Sequence, residues 1–238
     1  MKINDFIKAI EALNINYDEK QLNELETYYN YLIEYNRHTN LTAIIEKEAV
    51  YLKHFYDSLT LVKAIDFSNV INIIDIGSGA GFPGIVLKIF FPHLDITILD
   101  SNGKKTTFIS HLVETLNLKN ITVVNARAED YAKDKLNSFD LCVSRAVAYI
   151  DIICELSFPF IKKDGKVVLM KGNISNEMKI LTNYQQDLNI KKYDILNFSL
   201  PFTNDERNLI VLSKSIETKK LLNYSQIIKR NKKWNGQK

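Results

Sequence analysis

The chain has 238 residues, 46% hydrophobic and 25% charged, with a net charge of +3. That composition is enough for a full core and excludes a disordered or fibrous chain, while so small a net charge does not by itself point to nucleic acid. Apolar runs fall short of the roughly 20 residues that cross a membrane, and the opening MKINDFIKAI carries Asp5 where a signal peptide would have an apolar core, so a cytoplasmic protein is expected.

Taken in chain order, apolar residues recur at helical spacing over residues 6–13 and again from residue 18 to about 36, with Asp18 as the N-cap of the second helix. A third helix is predicted over residues 46–65, with Val50, Phe55, Leu59 and Val62 turned inward. Residues 1–69 therefore read as a helical cap. From residue 70 the runs VINIIDI, DITILD, ITVVNA, FDLCVS and GKVVLM read as strands, separated by helical stretches such as residues 84–91 and 104–116. A helix over residues 175–188, a strand near 192–198 and a last strand, RNLIVLSK, complete the pattern. Strand and helix in alternation predict an α/β domain over residues 70–214, built on a mostly parallel sheet covered on both faces. Residues 215–238 form a basic tail, in which Lys219, Lys220, Lys229, Arg230, Lys232, Lys233 and Lys238 face a single acid, Glu217. Such a run is either a phosphate-contacting segment or a solubilising terminus. Cys142 and Cys154 sit among apolar residues and read as buried thiols, and His38, His93 and His111 lack a metal-binding spacing, so no metal is expected.

The stretch IIDIGSGAGFPG, residues 73–84, follows the first strand. In an open parallel sheet that is where ligands bind, and glycines allow the backbone to approach them closely. The helix opening near Gly84 is expected to turn unpaired N–H groups toward the ligand. Gly79, Gly81 and Gly84 fit the dinucleotide fingerprint G-x-G-x-x-G, whereas Asp75, Gly77, Gly79 and Gly81 fit the D-x-G-x-G-x-G of S-adenosylmethionine (AdoMet) enzymes. Asp100, ending DITILD, is spaced to accept hydrogen bonds from a ribose in either case. Three features favour AdoMet. Asp75 lies inside the strand end, where an acid comes close to a methionine portion; NARAED places Ala128, Glu129 and Asp130 for an adenine; and the closing order of strand, helix and two strands suits the final hairpin of class I methyltransferases. An NAD-dependent dehydrogenase and a non-catalytic RNA-binding protein that keeps the cofactor fold stand as alternatives.

In order along the chain, HTNLTAI, HFYDSL, IDIGSGAGFPGI, LDSNGKK, ARAED, FDLCVSRA, MKG and ERNLIVLSK resemble the bacterial small-subunit ribosomal RNA methyltransferase G family, formerly called glucose-inhibited division protein B, over about residues 22–214. The resemblance implies a class I AdoMet-dependent methyltransferase with a Rossmann-like, mostly parallel seven-stranded sheet and an antiparallel last strand, preceded by the helical cap. It implies methylation of N7 of one guanine in 16S rRNA, free or in the small ribosomal subunit. It carries AdoMet contacts onto Gly77, Phe82, Ala128, Glu129 and Arg145, beside Asp75, Gly79 and Asp100 from the loop and its spacing. Guanine N7 has a lone pair and no proton, so no general base is expected and Arg145 is assigned to positioning. Asn40 and His54 are expected to frame the mouth of the site, while capping and mutual satisfaction are the favoured roles for Thr42 and Asp57. Lys171, Arg207, Lys229, Arg230, Lys232 and Lys233 are expected to contact RNA phosphates, and the protein to act as a monomer.

Overall fold

In a computed structural model the described residues are 1–145, 147–218 and 221–234, the last five of these by backbone alone. Two helices open the chain, α1 (Ile3–Glu11) and α2 (Glu19–Thr39). The start of α2 is written locally: Asp18 accepts from the Gln21 backbone at 2.8 Å, and the Gln21 side chain accepts from the Asp18 backbone at 2.8 Å. It ends at Asn40, which takes the left-handed conformation with φ 51°.

The helix expected over residues 46–65 is broken. A turn of α3 (Lys47–Val50) widens into a π-helix (Tyr51–Tyr56), returns to α4 (Asp57–Leu59), and tightens into 3₁₀ turns at Thr60–Lys63 and Phe67–Asn69. Within the π segment Tyr51, Leu52, His54, Phe55 and Tyr56 are all buried. A regular amphipathic helix has one apolar stripe, whereas this segment is covered on almost every side, and the wider turn is how it presents side chains to both cap and sheet.

The sheet has seven strands, β1 (Asn72–Ile76), β2 (Asp95–Asp100), β3 (Ile121–Asn125), β4 (Phe139–Arg145), β5 (Ile161–Lys171), β6 (Ile190–Ser199) and β7 (Glu206–Lys214), in the order 3-2-1-4-5-7-6. Pairing is parallel from β3 through β5, and β7 runs antiparallel to both β5 and β6. The connecting helices are α5 (Gly84–Phe90), α6 (Gly103–Thr115), α7 (Ala128–Tyr131), α8 (Ile150–Ser157) and α9 (Ser175–Tyr184), and α10 (Tyr224–Trp234) follows the last strand. The expected helix over residues 175–188 is thus shorter by a turn. Helix α10 occupies part of what the sequence presents only as a basic tail.

Alternation along β1 divides the core. Ile73 joins a cluster with Phe6, Tyr28, Phe55, Val86 and Phe108, so the cap, α5 and α6 share one interior with the sheet. Ile74 faces the other side, with Cys142, Ile153, Leu181 and Ile210 under α8 and α9. Sheet order reverses between β1 and β4, the point at which an open α/β sheet leaves a crevice beyond its carboxyl ends.

Candidate active site

Beyond β1 the glycine loop turns on left-handed residues, with φ 69° at Gly77, 64° at Gly79 and 96° at Gly81. Two carboxylates hold it from behind and from the side. Asp75 Oδ2 accepts from Ser78 Oγ at 2.6 Å and from the Gly84 backbone at 2.8 Å. Asp100 accepts from the Gly79 backbone at 3.0 Å and, through its other oxygen, from Asn102 at 2.9 Å. Asp75 is fully buried and does not line the crevice, so its side chain holds the loop from behind. Burial pushes its carboxyl up to about 6, against the pull of Ser78 and Gly84 in the other direction. The Gly84 N–H, expected to be free for a ligand, is taken by this carboxylate.

A cleft of about 340 Å³ opens at the carboxyl ends of β1, β2 and β3. Gly77, against which the Val147 side chain packs, Asp100, Ala128, Glu129 and Tyr224 all line it. A β-carbon on Gly77 would collide with the Val147 side chain, so the bare backbone is what lets that side chain in. Ile76, Leu99, Ala126 and Leu156 supply apolar walls, and Asp100, Ser101 and Glu129 a few convergent polar groups, a lining suited to a nucleoside. Asp100 keeps lone pairs for a further donor beyond its two backbone bonds. Gly79 and Phe82 lie outside this lining. Phe82 is 3% exposed, and its ring packs at 5.2 Å on Tyr28 and at 4.5 Å on His54.

Arg145 also lies outside that cleft and lines a neighbouring pocket of about 360 Å³ with Lys53, His54, Asp57, Lys171 and Arg207. Sheet topology assembles it. Strands β4 and β5 end side by side, Arg145 in register with Met170, and antiparallel β7 begins there, so Arg207 arrives from the opposite chain direction. Asp57, 3% exposed, accepts from Arg207 Nε at 3.0 Å and pairs with Arg145 at 3.6 Å. Desolvation raises the Asp57 carboxyl above its ordinary value, and the two guanidiniums oppose that shift. Arg145 donates to the Lys53 carbonyl at 3.1 Å, lies 3.3 Å from His54 Nδ1 and stands over the Phe82 ring at 4.9 Å. His54 meets Thr42 Oγ1 through Nε2 at 3.0 Å. Its pKa is lowered to about 3, first by burial and then by the Arg145 charge, so the ring is neutral at physiological pH.

Lys53 and Lys171 have carboxylates of their own, Asp205 at 2.8 Å and Glu177 at 3.0 Å, whereas Arg145 and Arg207 share Asp57. Among the described residues the pocket therefore holds one more positive charge than negative, which suits an anion. Asn40 is an exposed helix cap outside both cavities, and Lys229 is exposed on α10. The side chains of Arg230, Lys232 and Lys233 lie outside the described residues. Asp57 is the group that sequence reasoning assigned to capping; its one signal was a charged residue inside a run of buried apolar ones. Among the described residues no cluster of three or more His, Cys, Asp or Glu is placed to hold a metal, and no helix is long and apolar enough to cross a membrane.

A 3-2-1-4-5-7-6 sheet with an antiparallel seventh strand and a glycine loop at its switch point defines a class I methyltransferase fold. Solved structures agree: a precorrin-6y C5,15-methyltransferase from Geobacter metallireducens superposes with a TM-score of 0.51 at 20% identity, over 67% of this chain and 88% of that one. The methyltransferase domain of METTL16 gives 0.54 at 17% identity, over 71% and 70%. A family model described as rRNA small subunit methyltransferase G matches residues 21–210. The ribosomal RNA small subunit methyltransferase G of Bacillus pumilus is 44% identical over 92% of this chain and 93% of its own length, and that of Oceanobacillus iheyensis 42% identical over 92% and 94%. The chain belongs to the ribosomal RNA small subunit methyltransferase G family.

Two outcomes follow from this geometry. A β-carbon at Gly84 would sit 2.9 Å from Asp75 Oδ2, whereas one at Gly103 meets nothing nearer than 3.6 Å. In urea unfolding Gly84→Ala is expected to lose about 1–3 kcal/mol, and Gly103→Ala to change stability by less than about 1 kcal/mol. The second concerns pH. His54 has an ordinary value of 6.5 and a folded value of about 3, so between them the unfolded chain binds a proton that the folded chain does not. Stability is complete above the upper value and is lost as pH falls toward the lower one. Melting temperatures followed from pH 7 down to pH 4.5 should therefore fall more steeply for the wild type than for His54→Gln.

Proposed function

We propose that the protein methylates N7 of a guanine in 16S rRNA with AdoMet as donor, acting as a monomer in the cytoplasm. The observation that carries this reading is the adjacency of two cavities at the end of β4: Val147 lines the cleft whose walls suit a nucleoside, and Arg145 lines the pocket with surplus positive charge. Family membership supports the ribosomal RNA substrate. The helical cap of residues 1–69 then serves as one wall of the RNA site, residues 70–214 as the methyltransferase domain, and residues 215–238 as an RNA-contacting extension.

In the cleft, Asp100 holds the ribose and Ala128 and Glu129 the adenine, while Gly77 at its edge, with Gly79 and Phe82 beyond the lining, carries the amino-acid portion on loop backbone that Asp75 secures. Bound there, AdoMet supplies an electrophilic methyl group on a positively charged sulfonium. Guanine N7 presents its lone pair without losing a proton, so the protein's task is alignment and exclusion of water. Arg145, held over Phe82 and paired with Asp57, offers a fixed guanidinium plane beside the incoming base. Methylation leaves the purine positively charged. Neutral His54 adds no charge against it, and Asp57 offsets the arginines. Lys53, Lys171 and Arg207 contact backbone phosphates, and Asn40, Lys229, Arg230, Lys232 and Lys233 extend that surface.

The test is transfer of labelled methyl from AdoMet to 16S rRNA or to small subunits from cells lacking this protein, followed by mapping of the modified nucleoside. A single 7-methylguanosine is expected. Binding of AdoMet with no transfer to either substrate would instead favour an RNA-binding protein that keeps the cofactor fold. In the same assay Asp57→Asn, checked for folding by circular dichroism, is expected to lower kcat/KM for RNA by about tenfold or more while AdoMet affinity stays within about threefold. Parallel losses in both would remove the cationic pocket from the reading.

A further inference from the structure

Tyr224 is the first residue of α10, far along the chain from β1, β2 and β3, yet it lines the cleft at their ends. Its ring lies 5.4 Å below the guanidinium of Arg127, the residue that opens α7 immediately before Ala128 and Glu129. The contact therefore falls at the end of the cleft assigned to adenine. At 41% exposure Tyr224 is a large aromatic surface left partly bare at the mouth of a binding site. A flat, π-rich base is the ligand such a ring accepts by stacking.

The helix that carries the ring is held in place twice. The Asn223 side chain accepts from the Gln226 backbone at 3.0 Å, and the Gln226 side chain accepts from the Asn223 backbone at 3.0 Å, a reciprocal cap that fixes where α10 starts. Ile227, three residues on and on the same helical face, is 1% exposed and packs in the cluster that contains Ile153 and Cys154 of α8. The same helix carries Lys229, Arg230, Lys232 and Lys233. At 1.5 Å per residue the first of these is only about 7.5 Å along the axis from Tyr224.

We infer that Tyr224 closes the adenine end of the cofactor cleft by stacking, and that α10 thereby couples cofactor binding to RNA binding. This rests on the methyltransferase reading. A helix whose first turn completes the cofactor site and whose later turns bear the cations for RNA is held in one position by either ligand. Each ligand then lowers the cost of binding the other, by the same factor in both directions.

S-adenosylhomocysteine serves as the unreactive probe. Calorimetry on the full chain is expected to show at least threefold weaker binding for Tyr224→Ala, and binding within twofold of wild type for Tyr224→Phe, which keeps the ring. With wild type, saturating S-adenosylhomocysteine is expected to tighten binding of a 16S rRNA fragment at least threefold at fixed salt, and this gain is expected to vanish in Tyr224→Ala. A wild type that binds the probe and methylates RNA, beside a Tyr224→Ala protein that binds the probe equally well, overturns the stacking role. An equal gain in RNA affinity for both proteins overturns the coupling. A wild type that does not bind the probe overturns the methyltransferase reading itself, an outcome distinct from the other two.

Discussion

One buried carboxylate joins three parts of this molecule that the chain keeps far apart. Asp57 comes from the broken helix of the cap, and the arginines it holds come from the end of β4 and the start of β7. Taking three charges out of water is costly, and only good geometry with further hydrogen bonds offsets that cost. Arg145 has those further contacts in the Lys53 carbonyl, His54 and the face of Phe82, and Arg207 donates to the Glu206 carbonyl. Removing the carboxylate would leave two like charges facing each other in a poorly solvated pocket, so Asp57 is the charge on which the meeting of cap, β4 and β7 turns.

The glycine loop uses carboxylates for a different purpose. Asp75 stabilises it from the interior by occupying the first N–H of α5, and Asp100 steadies Gly79 from the crevice side while keeping lone pairs for a ligand. This division explains why an acid sits inside a strand end that is otherwise apolar. A loop with three left-handed glycines has high conformational freedom when unfolded, and the hydrogen bonds to the two acids select one conformation of it. The ligand side of the loop is then backbone, and the side chains behind it are structural.

The surplus positive charge is local, which reconciles a weakly basic protein with an RNA substrate. Arg145, Lys171 and Arg207 meet because β7 runs antiparallel beside β5. A local field of this kind depends on where a few cations converge, and total charge is a poor guide to it.

Much of this architecture was legible in local patterns. The alternation of apolar runs and helical spacing identifies the parallel sheet, the capping box at Asp18 marks α2, and the spacing from the glycine loop to Asp100 and NARAED picks out residues that do line one cleft. These signals are short-range, because a strand, a cap or a tight turn is specified by neighbours in sequence. The π-helix, the shared Asp57, the placement of Arg145 in the second pocket and the return of Tyr224 to the cleft were not legible, since each depends on side chains brought together from distant elements. The sequence by itself determined the strands, most of the helices and the ligand-binding loop with its likeness to AdoMet enzymes. Only tertiary packing decided which acids serve the ligand and which serve the fold, because burial and partner distance, not residue type, set what a carboxylate does.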